Sequence, residues 1–334
     1  MKNPSPVILA FKNRALGDSV ISLGAIQYLK KNIPNAHIVF GVPSWVFPLF
    51  EQLDTAADKI IPVNLQSFSS WRSFYQAVGK LSPDMIIELF QSGRGKKFGA
   101  LYQALNWKTK YYGNNHHLDD GTYKKSNIQR DIDGIRSHLT SIPQGSFLDF
   151  CPHVKTKEDV VKKNKIIFGI VATRETKLWP IQHYHQLAQK ILATFPHAEI
   201  QIPVSGNSLD QRLMQEFRGL GEVTGVSFLQ TSLRDLPIEL ASGKIYIGND
   251  TGIKHLCIAL GLKSISFFGP EPPVEWHPYN QNEHPFYYID NLECRTQTAH
   301  FCGLSTCDSM ICLNQISAER VFIDNKKILE EILC

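Results

Sequence analysis

The fold is decided by a short strand that runs into a helix, Ile245-Tyr246-Ile247-Gly248-Asn249-Asp250-Thr251-Gly252-Ile253-Lys254-His255-Leu256. A helix that begins near Thr251 offers unpaired backbone N–H groups and a positive end, and both attract phosphate. Gly252 lets a ligand approach the backbone closely, and Thr251 and His255 share one helical face. The alternative is an ordinary buried helix that Asp250 caps and in which His255 is a satisfied polar residue. The stretch therefore predicts either an anion site or a plain strand–helix unit.

Composition describes a globular chain of two domains. Of its 334 residues, 43% are hydrophobic and 20% are charged, and this length accommodates two cores. The formal net charge of +4 is too small to indicate a nucleic-acid-binding protein. No stretch reaches the roughly 18 apolar residues of a membrane-spanning helix, and the N-terminus has no apolar signal region. We therefore expect the protein in the cytoplasm.

Short apolar runs alternate with longer amphipathic stretches, a pattern typical of parallel strands joined by helices. The expected strands are Val7–Ala10, His37–Gly41, Asp84–Leu89, Ile166–Val171, Glu199–Pro203, Lys244–Gly248 and Ser264–Phe268. The expected helices are Ser19–Asn32, Trp71–Lys80, Lys97–Asn106, His183–Phe195, Leu209–Arg218, Gly252–Leu260 and Ser317–Leu333. This number of strands is enough for two doubly wound domains.

A polar stretch, residues 155–165, separates the two halves just before a new strand. We place the boundary near 160, with one Rossmann-like domain in residues 1–160 and another in residues 161–334. A helix exit followed by a second strand occurs in both halves, at Ile33–Ile38 and Phe195–Ile200, and supports two similar units. The last helix can pack on either domain.

Ligands of open parallel sheets collect at the carboxyl ends of the strands, and the first such end leads to Arg14-Ala15-Leu16-Gly17-Asp18. Gly17 permits a tight turn, so Asp18 lies at the start of a helix. As an N-cap it would only satisfy backbone donors. As a catalytic base it would need an acceptor hydroxyl within hydrogen-bond reach. Both interpretations stay open at this point.

Two strand ends in the second half carry further polar side chains. After Ile166–Val171, donors to phosphate oxygens follow at Thr173, Arg174 and Lys177, although a surface loop with an ion pair is the alternative. After Glu199–Pro203, the carboxylate of Asp210 could accept hydrogen bonds from ribose hydroxyls.

Seven cysteines in a chain of this size indicate reduced thiols and no disulfide framework. Four of them cluster, at Cys294, Cys302, Cys307 and Cys312, without the paired spacing of common zinc sites. We expect small buried residues here and assign no metal.

Taken together and in this order, these segments resemble the heptosyltransferase family, glycosyltransferase family 9. The resemblance covers nearly the whole chain. The motifs that carry it are Arg14-Ala15-Leu16-Gly17-Asp18, Thr173 with Lys177-Leu178-Trp179-Pro180, Gly248-Asn249-Asp250-Thr251-Gly252 with His255, Phe268-Gly269-Pro270, Trp276, and the cysteines followed by Leu313 and Ile316.

The resemblance implies the GT-B fold, an α/β arrangement of two Rossmann-like domains with doubly wound parallel sheets that face each other across a cleft. It also implies inverting transfer of heptose from ADP-heptose to a lipopolysaccharide inner-core acceptor, without a metal or other cofactor. Asp18 would be the general base, and Lys177 would assist catalysis. The nucleotide sugar would be bound by Thr173, Arg174, Lys177, Asp210, Asp250, Thr251, Gly252 and His255. Related sequences often place Glu where Asp210 stands.

On the acceptor side, the resemblance implies an anionic glycolipid, the lipid A core, bound by Arg14, Arg94, Lys96 and Lys97. The stretch Gln91–Gly99 departs from the lysine-serine pair that is usual in core heptosyltransferases. Contact with the inner face of the cytoplasmic membrane would be peripheral, and no nucleic-acid partner is expected.

Three alternatives stay beside this hypothesis. A related transferase could use another nucleotide sugar for surface polysaccharide, and a nucleotide-sugar-binding protein without catalysis would differ only at Asp18 and on the acceptor side. The glycines Gly93, Gly95 and Gly99 suggest a dinucleotide-dependent oxidoreductase, but their spacing is not G-x-G-x-x-G.

Overall fold

The computed structural model describes residues 5–114, 125–295, 302 and 306–334. The chain divides into two compact units, Met1–Lys157 and Glu158–Cys334. The division falls within the polar stretch that separates the halves of the sequence. Each unit is built around its own parallel sheet.

The first unit contains a five-stranded sheet with helices between its strands. Its strands are β1 (Val7–Phe11), β2 (His37–Pro43), β3 (Leu53–Asp54), β4 (Lys59–Val63), β5 (Met85–Glu88), β6 (Lys110–Gly113) and β7 (Lys155–Thr156). Its helices are α1 (Leu16–Ile21), α2 (Leu23–Asn32), α3 (Phe47–Phe50), α4 (Phe68–Leu81), α5 (Gly93–Leu105) and α6 (Asn127–His138). The sheet order is β4-β2-β1-β5-β6, all parallel, while β3 and β7 form a separate antiparallel pair.

The second unit repeats this architecture with six strands. Its strands are β8 (Lys165–Gly169), β9 (Glu199–Pro203), β10 (Val226–Leu229), β11 (Ile245–Asn249), β12 (Lys263–Phe268) and β13 (Phe286–Tyr288). Its helices are α7 (Ile181–Thr194), α8 (Ser208–Gly219), α9 (Leu236–Ala241), α10 (Gly252–Ala259), α11 (Pro273–Trp276), α12 (Ile311–Asn314) and α13 (Ala318–Leu333). The sheet order is β10-β9-β8-β11-β12-β13, again all parallel.

Both sheets have the doubly wound order of a Rossmann fold, which confirms the predicted α/β class. In each sheet the chain first adds strands on one side of the first strand and later adds strands on its other side. The strand order therefore reverses between β1 and β5 in the first unit and between β8 and β11 in the second. Ligands of such sheets bind at the carboxyl ends of the strands beside this reversal.

The central strands form because they are apolar along most of their length and are covered on both faces. All five residues of β11 are buried, and so are all five of β8. These two strands pair in register, with Gly169 opposite Gly248. A Cβ atom on Gly248 would lie 2.6 Å from the Cα of Gly169, so this close approach of the two backbones requires glycine. The strand ends that carry the candidate residues are therefore held next to each other.

Two predicted elements differ from the structure in detail. The single helix expected at Ser19–Asn32 begins earlier and is divided at Ser22 into α1 and α2. The Ser22 hydroxyl donates to the buried Asp131 carboxylate over 2.8 Å, which ties this break to α6. The last helix, α13, packs on α7 of its own unit, where Val321, Leu329 and Leu333 join the core. Its N-cap is Ser317, so α13 begins one residue later than predicted.

Within the described ranges, no helix has the length and apolar character needed to cross a membrane.

Candidate functional site

The candidate site of the second unit is assembled by Asn249, the last residue of β11. Its side chain donates to the carbonyl of Ile170 over 2.8 Å and accepts from the backbone N–H of Trp179 over 2.9 Å. Trp179 is itself buried, and its indole N–H donates to the Ile316 carbonyl over 2.7 Å. These bonds fasten the loop after β8 to the end of β11. The segments that carry Lys177 and Asp250 are consequently brought together.

Asp250 lies between two lysines. Its Oδ2 is 2.9 Å from Lys177 Nζ, and its Oδ1 is 2.5 Å from Lys254 Nζ. Burial disfavours a charged carboxylate here, but the two ammonium groups outweigh that effect and hold the pKa of Asp250 well below its usual range. Both carboxylate oxygens are therefore occupied by cations. The alternative in which Asp250 caps the helix is wrong, because the N-cap residue of α10 is Thr251.

The start of α10 carries a hydroxyl that no hydrogen bond of regular geometry satisfies among the described residues. The Thr251 side chain makes no capping hydrogen bond, and its buried Oγ1 lies beside the Tyr246 hydroxyl. The neighbouring Tyr246 hydroxyl donates to the Asn249 carbonyl over 2.7 Å. A buried hydroxyl without a partner is costly, and a ligand oxygen at the helix N-terminus would satisfy it.

The loop after β8 surrounds this helix end with further polar groups. Thr173 is exposed, and Arg174 forms an ion pair with Glu271. Burial raises the pKa of Glu271, whereas Lys177 and Arg174 oppose that shift. Lys177 ends a single 3₁₀ turn, Glu175–Lys177, and its side chain keeps 14% exposure. Lys177 is therefore both paired and accessible to a ligand.

Two predicted ligands of the nucleotide sugar are engaged in the protein interior. His255 is 2% exposed, and its Nδ1 shares a 2.6 Å hydrogen bond with the Tyr279 hydroxyl. Burial, together with nearby Lys254, lowers the pKa of His255 well below its usual value, so the ring is neutral at pH 7. Asp210 is also buried, and its Oδ2 accepts from the Ser205 N–H over 2.8 Å. Asp210 thus closes the turn between β9 and α8, and its contact with ribose stays a prediction.

In the first unit, Asp18 occupies the third residue of α1, whose N-cap is Ala15. The N-cap interpretation of Asp18 is therefore wrong. Its side chain keeps 9% exposure, and its Oδ1 lies 3.8 Å from Arg14 Nε. Arg14 in turn lies over the Phe90 ring, 4.0 Å from its centroid. Arg14 and Asp18 are thus brought together at the carboxyl end of β1.

A second carboxylate, Glu88, organises the adjacent strand end. It accepts from the backbone N–H and the hydroxyl of Ser92, over 2.8 and 3.0 Å, and from the Tyr111 hydroxyl over 2.6 Å. Ser92 also caps α5 by accepting from the Gly95 N–H. Burial raises the pKa of Glu88 despite these three hydrogen bonds. Glu88 consequently fixes the start of α5.

The predicted acceptor residues Arg94, Lys96 and Lys97, hereafter the basic cluster, are all exposed in the first turns of α5. Cations at a helix N-terminus oppose the helix dipole. Their position is unfavourable for the isolated helix.

Sequence reasoning missed several residues that build these sites. Lys254 is the most informative, because it follows Asp250 by only four residues and contacts it across the start of α10. Lys12 and Asp131, a fully buried ion pair of 3.0 Å beside α1, are 119 residues apart and carry no local signal. Asn249 could be read only as a turn residue.

The cysteine cluster carries no metal assignment. Cys294 is an exposed free thiol, and Cys302, Cys307 and Cys312 are half-buried free thiols, so the expectation of buried residues is wrong. In the part of the chain that the structure describes, no group of three or more His, Cys, Asp or Glu side chains is arranged to hold a metal ion.

The chain is similar to known glycosyltransferases in sequence and structure. Residues 122–302, more than half of the chain, match the model of glycosyltransferase family 9 (heptosyltransferase). Lipopolysaccharide heptosyltransferase 1 from Escherichia coli is 21% identical over 305 residues, which cover 83% of this chain and 90% of that protein. The structure of ADP-heptose LPS heptosyltransferase II from E. coli superposes with a TM-score of 0.73 at 19% identity, covering 97% and 98% of the two chains. E. coli heptosyltransferase WaaC with ADP gives 0.70 at 20% identity, covering 97% and 99%.

Proposed function

Since the chain belongs to glycosyltransferase family 9, the heptosyltransferases, we propose that it transfers heptose from ADP-heptose to a lipopolysaccharide inner-core acceptor. The observation that carries the proposal is the helix N-terminus at Thr251 with the accessible ammonium of Lys177 close by, through Asp250. Both lie at the carboxyl ends of β8 and β11, where the strand order reverses. A diphosphate is the ligand that matches backbone amides, a hydroxyl and a lysine at such a position.

In the proposed reaction, the bond between the anomeric carbon and the diphosphate breaks, and negative charge accumulates on the leaving ADP. Fixed positive groups that face this charge lower the barrier. Lys177, the Thr251 hydroxyl and the backbone of Gly252 fill that role, with Thr173 and Arg174 beside them. We assign this stabilisation to protein donors, so the proposed reaction needs no metal. The solved structure of E. coli heptosyltransferase WaaC with ADP supports this donor.

The acceptor hydroxyl needs a base as it attacks the anomeric carbon. Asp18 is the proposed base, since its carboxylate has Arg14 at 3.8 Å as its one ion-pair partner among the described residues. A direct attack opposite the leaving nucleotide inverts the configuration of the sugar. Arg14 holds the Asp18 carboxylate in place.

The proposed acceptor is an anionic glycolipid, the lipid A core. The basic cluster presents three exposed cations at a helix start that Glu88 and Ser92 hold rigid. Cations that oppose the helix dipole are compensated when an anionic ligand arrives. An acceptor with a lipid anchor is reached at a membrane surface, so we extend the proposal to peripheral contact there.

The decisive experiment is a transfer assay with ADP-heptose and a heptose-free lipid A core, read by mass spectrometry of the glycolipid. We expect addition of one heptose, an inverted linkage by NMR, and activity that persists in EDTA. A panel of other nucleotide sugars serves as the control for donor identity. Transfer of another sugar in preference to heptose would replace the proposed donor, and failure to bind any nucleotide sugar would refute the proposal.

A further inference from the structure

Lys254 is the charged residue of the candidate site that the proposed function leaves without a role. Its side chain is fully buried, so it cannot touch a ligand directly. Its ammonium contacts Asp250 Oδ1 at 2.5 Å, donates to the Trp276 carbonyl over 2.9 Å, and lies 4.5 Å from the centre of the Phe268 ring. These contacts surround it with protein.

Burying a lysine is costly, because burial disfavours the charged form. Burial lowers the pKa of Lys254 to about 8, although Asp250 opposes the shift. If this side chain only donated a hydrogen bond to the Trp276 carbonyl, an uncharged donor would serve at a lower desolvation cost. The charge itself therefore calls for an explanation.

The explanation follows from the charges that face one another at this site. The cations are Lys177, Lys254 and Arg174, and the anions are Asp250 and Glu271, while His255 is neutral. The net charge of these groups is therefore one positive charge. Without Lys254 this net charge would be zero, and Lys177 would be the one ammonium left to pair with Asp250 among these groups.

We propose that Lys254 is a positioning residue that neutralises Asp250 from the buried side, so that the ammonium of Lys177 stays available to the diphosphate of the donor. This inference rests on the proposed function, because it requires a diphosphate ligand. The geometry favours it, since the two lysines occupy opposite oxygens of one carboxylate and only Lys177, at 14% exposure, is accessible. A ligand can then attract Lys177 without leaving Asp250 unpaired.

The test is a charge-balance cycle with ADP and AMP binding measured by calorimetry. Lys254→Met removes the buried charge at similar volume, and we expect ADP affinity to fall at least about tenfold, the lower end for a charge-assisted hydrogen bond. AMP, with one phosphate fewer, should lose less. Asp250→Asn combined with Lys254→Met restores the sum of one positive charge, so we expect ADP affinity within about threefold of wild type.

The outcomes separate the inference from the function it rests on. Absence of ADP binding by the wild-type chain overturns the proposed function and this inference together. If the wild-type chain binds ADP and Lys254→Met binds it equally well, only the inference is overturned. The same holds if the double variant folds but binds ADP no better than Lys254→Met. If Lys254→Met does not fold, the double variant decides alone: near wild-type ADP affinity supports the role in charge balance, and lost affinity refutes it.

Discussion

Replacing Lys177 by methionine tests the cation that we assign to the donor diphosphate. The substitution keeps most of the side-chain volume and removes only the ammonium group. Because Asp250 retains Lys254 at 2.5 Å, no unpaired buried carboxylate is created. We therefore expect the variant to fold.

The magnitude follows from the interaction that is lost. A hydrogen bond between a charged donor and a phosphate contributes about 1.5–3 kcal/mol. Each 1.4 kcal/mol corresponds to a factor of about ten in affinity, so ADP should bind roughly 10- to 150-fold more weakly. Lys177 is largely buried, at 14% exposure, so salt screens its interaction with a ligand less than that of a surface lysine.

The assay is calorimetric titration with ADP at low and physiological ionic strength. The matched control is Lys190→Met, which removes a lysine of the same unit whose partner is Glu319 on the surface helix α13. We expect wild-type affinity for this control. An ADP affinity of Lys177→Met within twofold of wild type would refute the assignment of Lys177 to the diphosphate.

Three further predictions concern the base, the acceptor and the histidines. Asp18→Asn should lower kcat for transfer at least about 100-fold while the Kd for ADP stays unchanged, and transfer at the wild-type rate would contradict a base at this position. Replacing all three residues of the basic cluster by glutamine should raise the KM for the acceptor about tenfold or more at low salt and leave ADP binding unchanged. An unaltered KM would show that the cluster does not bind the acceptor. Burial lowers the pKa of His277 to about 3 and of His284 to about 4, so unfolded chains bind more protons than folded ones below pH 6.5. These two histidines therefore leave the free energy of unfolding unchanged above pH 6.5. Between pH 6.5 and pH 4, each of them lowers it by about 1.4 kcal/mol per pH unit. The test is urea unfolding of His284→Asn, which keeps a polar group near Ser264, with the exposed His197→Gln as the control. As the pH falls, the free energy of unfolding of His284→Asn should decrease less steeply than that of wild type or of His197→Gln. Equal slopes against pH would show that His284 does not cause the pH dependence.

Within the two parallel sheets, the strands that the sequence predicted are the central ones, and the strands that it missed lie at the edges. The short antiparallel pair of β3 and β7 was missed as well. β1, β2, β5, β8, β9, β11 and β12 all appear within a few residues of their expected bounds. β4, β6, β10 and β13 form the four edges of the two sheets. Central parallel strands are covered on both faces and therefore appear as continuous apolar runs, whereas edge strands such as Lys110–Gly113 are partly exposed and lack this signal.

The candidate sites were predictable only in part. Asp18 and Thr251 could be found because glycine turns and helix starts leave local marks in the sequence. Their partners could not all be found, because Lys12 and Asp131 meet only when β1 and α6 pack together. The sequence leaves two interpretations of Asp250 open, and only the structure, in which Thr251 is the N-cap of α10, excludes the helix cap.

By itself, the sequence determined the alternation of strands and helices, the helix start at Thr251 and the family to which the chain is similar. These features depend on residues that are close together in the sequence, so the spacing of apolar residues and the turn-forming residues reveal them. Only the tertiary structure decided that Asp250 is shared by Lys254, four residues away, and Lys177, seventy-three residues away. The charge of a site is a sum over groups that meet in space, and that sum exists only after β8 and β11 have paired.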